Sequence, residues 1–448
     1  MTARGLKSES GAAEQAARRY PVVTSRAHAD LLAVSLMFVF VMSAITLALM
    51  PIVTNQLRNQ VGLNDAQIGL LTSVFMGFYG ATGFFSGIAA ARWGGRLLAL
   101  SSACFVVGSL LFAFSSSFPG FLVGRAIQGL GGGMVVATIN PVLAHALPRK
   151  WLSRAWGIIG IGFGFGSMIA LFALPPIQAA GGYRAVCLTT AGLGVVIGAT
   201  ALTNKAVRAL PVHENRAAGL IGMVKTQGTV LGNYRVRMLG LCNTAGLAMG
   251  VGVMAWAPSF LQDTYHASET TSLYIVATLG IAQMIGNPLG AMASGRWGKY
   301  RVTVGSLVVF VIVTVLTGLV PGIPLVAALV FLGAFFGMFY FPAMLAYIPE
   351  VVRNPAHVGP ATGVNSSMGF VGSLVAPWIF GLILDAGGQS TRSYMGGFAM
   401  LGLFGVVSLI GLAFFRPGAI AGAATVTEAA GMNGATGAAP RGSSEPEA

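Results

Sequence analysis

The sequence predicts an all-α membrane protein in which twelve transmembrane helices form two pseudo-symmetric six-helix halves. Three observations predict this fold class: an apolar composition, long apolar stretches that recur along the chain, and short motifs that repeat between its two parts. Of the 448 residues, 55% are hydrophobic and only 8% are charged, and the mean hydropathy is +0.77. Soluble proteins carry about 25% charged residues. The composition therefore excludes an ordinary soluble protein.

Apolar stretches long enough to cross the hydrocarbon core, about 20 residues each, follow one another along most of the chain. Lipid cannot satisfy unpaired backbone polar groups, so each stretch is predicted to be a helix. The first stretch is longer than the hydrophobic region of a signal peptide, which has about 7 to 15 residues. It is therefore predicted to be a transmembrane span. The predicted spans are 31–53, 67–91, 97–116, 119–147, 155–175, 185–203, 238–261, 270–295, 302–321, 323–348, 359–384 and 393–415.

The net charge of +14 raises the question of a nucleic-acid partner, and the placement of the cations answers it. If the N-terminus is cytoplasmic, 22 of the 26 Lys and Arg residues lie in cytoplasmic segments, and Arg58, Arg184 and Arg392 lie on the other side. This asymmetry is the positive-inside pattern of membrane proteins. We therefore predict a multi-pass protein of the plasma (cell inner) membrane with both termini cytoplasmic, surrounded by the lipid bilayer and without a nucleic-acid partner.

Short motifs recur at nearly constant offsets between the two parts of the chain. The segment "AARWGGR" after the second span matches "SGRWGKYR" after the eighth, so that Arg92 aligns with Arg296, 204 positions later. Likewise "NPVLAHALP" parallels "FPAMLAYIP", which aligns Pro141 with Pro342 at an offset of 201. Such order indicates an internal repeat. The predicted organisation is a cytoplasmic N-terminal segment, a first half, a cytoplasmic linker, a second half and a disordered cytoplasmic tail: 1–30, 31–203, 204–236, 237–416 and 417–448.

Two motifs resemble the major facilitator superfamily of secondary transporters. The loop after the second span resembles the pattern Gly-x-x-x-Asp-Arg-x-Gly-Arg-Arg/Lys, with Ala91 in place of the aspartate; the matching residues are Gly87, Arg92, Gly94 and Arg96. The stretch "GRAIQGLGGG" resembles the family pattern Arg-x-x-Gln-Gly-x-Gly through Arg125, Gln128, Gly129 and Gly131. The resemblance covers roughly residues 28–416. It implies solute transport by alternating access, with the loop acting as a gate between the halves.

Arg125 lies inside an apolar span, where an ionisable group costs about 2.5 kcal/mol or more and usually faces a cavity or a partner. Two interpretations are open. The arginine is a structural cation bonded to helix-end carbonyl groups, or it faces the transport cavity and binds an anion or assists ion coupling. The neighbouring glycines, and those of "GIGFGFG" in the fifth span, indicate close helix packing. No strand precedes this second motif and no Gly-Lys-Ser/Thr follows it, so ATP-driven transport is not expected.

No predicted span interior contains Asp or Glu, and this distribution favours an anionic substrate. A buried cation without a protein counterion can take its counterion from the substrate. Transporter sites lie near the midplane between the repeats, and polar or aromatic residues of several spans are candidates to complete the site. The candidate substrate-binding residues are Arg125, Tyr79, Asn140, Asn243, Trp256, Gln283, Asn287, Tyr340 and Asn365.

The resulting functional hypothesis is a secondary active transporter of a small organic anion, coupled to protons, for instance as a symporter, and acting as a monomer. One alternative is a drug/proton antiporter, although the fifth span lacks the Gly-Pro that exporters of this type usually show. A more remote alternative is a transporter-like membrane receptor. No catalytic constellation appears in the spans, and Cys104, Cys187 and Cys242 lack metal-ligand spacing, so neither enzymatic activity nor a cofactor or metal is expected.

Overall fold

The computed structural model describes residues 25–85, 96–147, 149–203, 220–352 and 357–414. Helices account for nearly all of these residues, as expected where lipid offers backbone groups no partners. A π-helical turn, Leu57–Val61, follows the first helix. The helices are α1 (Arg26–Gln56), α2 (Asp65–Phe84), α3 (Arg96–Phe114), α4 (Phe118–Ala146), α5 (Arg149–Thr203), α6 (Leu220–Leu231), α7 (Tyr234–Tyr265), α8 (Glu269–Trp297), α9 (Lys299–Thr317), α10 (Ile323–Leu345), α11 (Ile348–Val351), α12 (Val358–Gly387) and α13 (Thr391–Ala413).

The helix α5 contains two consecutive spans. Gly182 has a φ of 68° and a ψ of −171°, a conformation that glycine adopts without a Cβ clash, and it separates a segment ending at residue 181 from one beginning at residue 183. With α5 counted as two, the described residues form twelve helices of spanning length, which confirms the predicted number. Nine continuous helical stretches of the described residues are long and apolar enough to cross a membrane, and one of them, Ile158–Ala199, contains both spans of α5.

Several predicted boundaries differ from the structure, as two examples show. The fifth span was expected to end at residue 175, but its helix continues through Pro175 and Pro176. The linker 204–236 was expected to be a polar connector, yet its described part contains the helix α6, and α7 already begins at Tyr234. Helices in such proteins extend beyond the apolar stretch, because their ends lie among water and lipid headgroups, where polar side chains cost little.

The two halves repeat in their burial as well as in their motifs. At an offset of 205, eight buried positions of α3 coincide with eight buried positions of α9: residues 97, 98, 101, 102, 105, 108, 109 and 112 match residues 302, 303, 306, 307, 310, 313, 314 and 317. Equivalent helices therefore turn the same faces to the interior of each half. This agreement confirms the two-half organisation.

The halves meet mainly along two pairs of helices, α2 with α12 and α5 with α8, and α1 and α7 form a smaller contact. Glycines allow close contact in both seams. A Cβ atom at Gly164 of α5 would lie 2.5 Å from the carbonyl oxygen of Gly280 of α8 and 3.0 Å from Met284 Cγ. At the other seam, Gly69 of α2 lies against the backbone of Pro377 in α12. Small residues let helix backbones approach closely in membranes.

We expect Gly164→Leu to impair folding and transport, because the added side chain must displace the backbone of α8. Overpacking of an interior costs about 1 to 3 kcal/mol. Gly305→Leu is a matched control, since Gly305 is exposed and a Cβ atom there meets nothing within 4 Å. The measurement is the apparent melting temperature of both purified variants. Equal melting temperatures would contradict the seam assigned to Gly164.

Candidate functional site

Arg125 of α4 is fully buried among the helices of the first half, at 0% exposure. Its Nη1 atom donates to the carbonyl oxygen of Thr46 in α1 at 2.8 Å, and its Nε atom donates to the carbonyl oxygen of Leu71 in α2 at 3.2 Å. The guanidinium carbon lies 4.5 Å from the ring centroid of Phe75, a distance suited to a cation–π contact. A single cation of α4 thus contacts both α1 and α2.

A chain of hydrogen bonds extends from Arg125 across the first half. Arg125 Nη1 donates to Gln128 Oε1 at 2.9 Å, and Gln128 Nε2 donates to Ser109 Oγ of α3 at 3.0 Å. Thr190 Oγ1, in the second segment of α5, lies 3.3 Å from the same Ser109 oxygen. The position of Gln128, three residues after Arg125, places both side chains on one face of α4. This network stabilises the arrangement of α3, α4 and α5 around the cation.

The charge of Arg125 is not neutralised within the part of the chain that the structure describes. No described Asp or Glu forms an ion pair with it, and its Nη2 atom is buried without a hydrogen-bond partner among the described residues. Carbonyl dipoles compensate part of the cost of the buried charge. The bonds to carbonyl oxygens are those expected of a structural cation. The uncompensated positive charge and the unpaired Nη2 donor are the features that a cation needs if it binds an anion.

Three candidates from the second half lie close together. Asn243 of α7 donates through Nδ2 to the backbone oxygen of Asn365 in α12 at 3.0 Å, and the Tyr340 hydroxyl of α10 lies 3.4 Å from the oxygen of Cys242. Asn365 is fully buried, and neither its Oδ1 nor its Nδ2 has a partner among the described residues; the Oδ1 of Asn243 also lacks one. We name Asn243, Tyr340 and Asn365 the second-half polar group.

The remaining candidates occupy different places. Tyr79 packs against Phe370 of the other half, with 4.9 Å between ring centroids, and Asn287 lies on the α8 face opposite Gly160. Both therefore belong to the seams between the halves. Trp256 donates to the Pro377 oxygen at 3.0 Å and stacks on Phe380, which is packing inside the second half. Gln283 borders a small cavity, and the side chain of Asn140 lies outside the described residues.

The gating loop inferred from the family resemblance lies mostly outside the described residues. Gly87, Arg92 and Gly94 fall in the undescribed segment 86–95, and Arg96 is exposed at the first residue of α3. The structure instead shows a polar network that the sequence analysis did not predict. It lies at the end of the bundle remote from Arg26, where α1 begins; we call this the far end.

Asp385, at the end of α12, bridges the two halves at the far end. Its two carboxylate oxygens accept hydrogen bonds from the backbone N–H groups of Asp65 and Ala66, each at 2.9 Å, at the start of α2. A carboxylate at a helix N-terminus satisfies unpaired donors and interacts favourably with the helix dipole. The capping box of Asn64 and Gln67 sets the start of α2 at this point.

Arg58 forms the second part of the same network. Its Nη2 atom pairs with Asp65 Oδ1 at 2.6 Å within the first half, and its Nη1 atom lies 3.4 Å from Asp263 Oδ2 of the second half. The Tyr394 hydroxyl donates to the same Asp263 oxygen at 2.5 Å. We call Arg58, Asp65, Asp263, Asp385 and Tyr394 the far-end network. It holds the two halves together at the far end of the bundle.

Further cross-half bonds at the far end flank this network. Asn55 Nδ2 lies 2.5 Å from Gln262 Oε1, and Gln178 Nε2 donates to Glu269 Oε1 at 3.0 Å. The sequence did contain a signal for this network. Asp65, Asp263 and Asp385 all lie within two residues of the end of a predicted span, on the side that has few cations. Nothing in their spacing, however, shows that they meet.

Two six-helix halves, each with buried polar groups, and a polar network that joins them at one end are typical of a membrane transporter. Comparison with known proteins identifies the family. The model of the Major Facilitator Superfamily matches residues 32–260 and 239–436. The chain belongs to this superfamily and is a multi-pass membrane transporter of small solutes, not an enzyme.

Three relatives illustrate what the chain is similar to. It is 24% identical to the hexuronate transporter of Bacillus subtilis, over 81% of this chain and 88% of that protein. It is 26% identical to the gentisate transporter of Corynebacterium glutamicum, over 70% and 74% of the two chains. A chloramphenicol efflux pump of Mycobacterium tuberculosis is 27% identical over 53% of this chain and 56% of the pump.

A solved structure shows the same fold. The nucleoside transporter NupG superposes with a TM-score of 0.67 at 15% identity, covering 86% of this chain and 99% of that one. Identity at this level supports the fold alone.

Proposed function

We propose that this protein is a secondary active transporter of a small organic anion. One observation carries the anionic class: Arg125 is a buried cation for which the described residues provide no carboxylate partner. Within a low-dielectric interior a charge acts over longer distances than in water, so Arg125 favours an anion bound between the halves. We call this proposed binding space the cleft. The names of two relatives, transporters of hexuronate and gentisate, support a carboxylate solute.

The second-half polar group supplies the hydrogen bonds of the proposed site. A buried polar group without a partner costs about 1 to 3 kcal/mol, and Asn365 has two such atoms. An amide offers both a donor and an acceptor. A solute that carries hydroxyl and carboxylate groups would satisfy Asn365 and Asn243 together, with Arg125 contributing charge from the first half. Tyr79 and Asn287, in the seams, would respond to movement of the halves.

Transport would proceed by alternating access, with the far-end network closing one side of the cleft. We propose that the far end faces away from the cytoplasm, that both termini are cytoplasmic, and that the protein acts as a monomer in the plasma membrane. This orientation follows from the cation asymmetry of the sequence. Coupling to protons would use groups other than carboxylates of the span interiors, because no predicted span interior contains Asp or Glu.

Drug export is a second candidate, favoured by the similarity to the chloramphenicol efflux pump. Such a function requires a site that accepts a neutral, partly apolar molecule. It makes a different prediction from anion transport, because a neutral drug gains little from the charge of Arg125. The two candidates therefore separate in a single ligand screen.

The screen measures the melting temperature of the purified protein with hexuronates, gentisate, glucose and chloramphenicol. A ligand that binds only the folded state raises the melting temperature, and we expect the carboxylates alone to do so. Flux of the best ligand into proteoliposomes then demonstrates transport.

Asn365→Leu should weaken the apparent affinity for this ligand about tenfold, which corresponds to about 1.4 kcal/mol. The exposed control Asn59→Leu should leave the affinity unchanged. Stabilisation by chloramphenicol and by no carboxylate would replace the anion proposal with drug export.

A further inference from the structure

The internal repeat assigns counterparts in the second half to residues of α2, α3 and α4 in the first half. The motif offsets of 204 and 201 pair Tyr79 with Gln283 and Gly132 with Gly333, and the burial offset of 205 pairs Ser109 with Thr314. All three counterparts border one cavity between α7, α8, α9 and α10. The cavity thus lies where the first half has its arginine network.

Side chains fill this space in the first half. The ring of Tyr79 lies directly against Gly132, and Gln128 Nε2 donates to Ser109 Oγ at 3.0 Å. Gln128 and Ser109 thus satisfy each other, and protein side chains fill this part of the first half.

At the same positions the second half fills the space less completely. Gln283 is shorter than the tyrosine that it replaces, and Leu329 replaces Gln128, so the amide that donates to Ser109 in the first half has no counterpart at that position beside Thr314. As a result, Gln283 Oε1 and Thr314 Oγ1 are both buried without hydrogen-bond partners among the described residues, and Thr314 is only 1% exposed. Both belong to residues that border the cavity.

We propose that this cavity is a binding site for one water molecule that bridges Gln283 Oε1 and Thr314 Oγ1. The cavity volume open to the centre of a water molecule is about 20 Å³, and one water requires about 10 to 15 Å³. Water donates a hydrogen bond to the amide oxygen and bonds the hydroxyl group as donor or acceptor. It thereby removes the cost of two unpaired buried polar atoms.

The water site lies beside a seam that moves in transport. A Cβ atom at Gly164 of α5 would lie 3.3 Å from the Cβ of Gln283, so Gln283 adjoins the other half and also borders the cavity. A bound water holds the Gln283 side chain away from the seam and links α8 to α9. In the first half, protein side chains make the equivalent link.

The test combines a high-resolution structure with a double-mutant cycle. In the wild-type protein, density for a water should lie within hydrogen-bond distance of both oxygen atoms. Gln283→Met and Thr314→Val should each lower the melting temperature, and the double variant should lose less than the sum of the two shifts, because either substitution already breaks the bridge. Thr303, another buried threonine of α9 whose Oγ1 lacks a partner among the described residues, does not border the cavity.

Gln283→Met combined with Thr303→Val is therefore the matched control, and its two shifts should add. An empty cavity in the wild-type density, together with additive shifts for Gln283→Met and Thr314→Val, would overturn the water site. The wild-type density decides the question even if a variant does not fold. None of these measurements depends on the transported solute, so the result stands apart from the proposed anion transport.

Discussion

Arg125→Gln should abolish transport of the anionic solute and destabilise the first half. The substitution removes the only cation predicted inside a span and the donors that hold the Thr46 and Leu71 carbonyl oxygens. Hydrogen bonds from a charged group contribute about 1.5 to 3 kcal/mol each, so we expect a loss of about 3 kcal/mol in unfolding free energy. Arg125→Lys retains the charge but not the planar fork that reaches two helices at once, and should retain part of the affinity.

The measurements are the melting temperature and the solute affinity of detergent-purified variants that are monodisperse. Arg184→Gln makes the same chemical change at an exposed arginine and should alter neither quantity. If Arg125→Gln is destabilised but binds an anionic solute with wild-type affinity, the arginine is purely structural. The anion proposal would then lose its main support.

Removing the carboxylate of Asp385 should open the far end of the transporter. Asp385→Ala deletes two charge-assisted hydrogen bonds to the start of α2, and Arg58→Gln deletes the pairs with Asp65 and Asp263. Partly exposed ion pairs contribute little on their own, whereas the two N–H bonds to a carboxylate are of the stronger kind. We expect the population open at the far end to rise about tenfold for Asp385→Ala, equivalent to about 1.4 kcal/mol, and less for Arg58→Gln.

Distances between spin labels at the exposed far-end positions 59 and 391 report this population, after the native cysteines are replaced. Lys299→Gln is the control. It breaks the ion pair between Lys299 and Glu350 inside the second half, at the opposite end of the bundle, and should leave the distances unchanged. An unaltered distance distribution in Asp385→Ala would show that the far-end network does not determine which side is closed.

Part of the candidate site could be predicted from the sequence, because a cation in an apolar span is conspicuous. Arg125 was identified in this way, and so was Asn365 as a polar residue in a late span. The partners of Arg125 had no such signal, because they are backbone oxygens of Thr46 and Leu71 and every residue has one. Asp385 and Asp65 lie 320 positions apart, and no spacing rule connects residues at that separation.

The sequence by itself determined the class of protein, the number of spans and the repeat. The class and the number of spans follow from local composition, since a long apolar stretch in lipid has no alternative to a helix. The repeat follows from motifs that recur at nearly constant offsets. Only the tertiary structure decided which side chains meet: that Arg125 is enclosed by helix carbonyl groups, that Asn243 and Asn365 adjoin, and that Asp385 caps α2. The reason is that lipid treats every apolar helix face alike, so the choice of neighbours depends on close packing and on single interhelical hydrogen bonds.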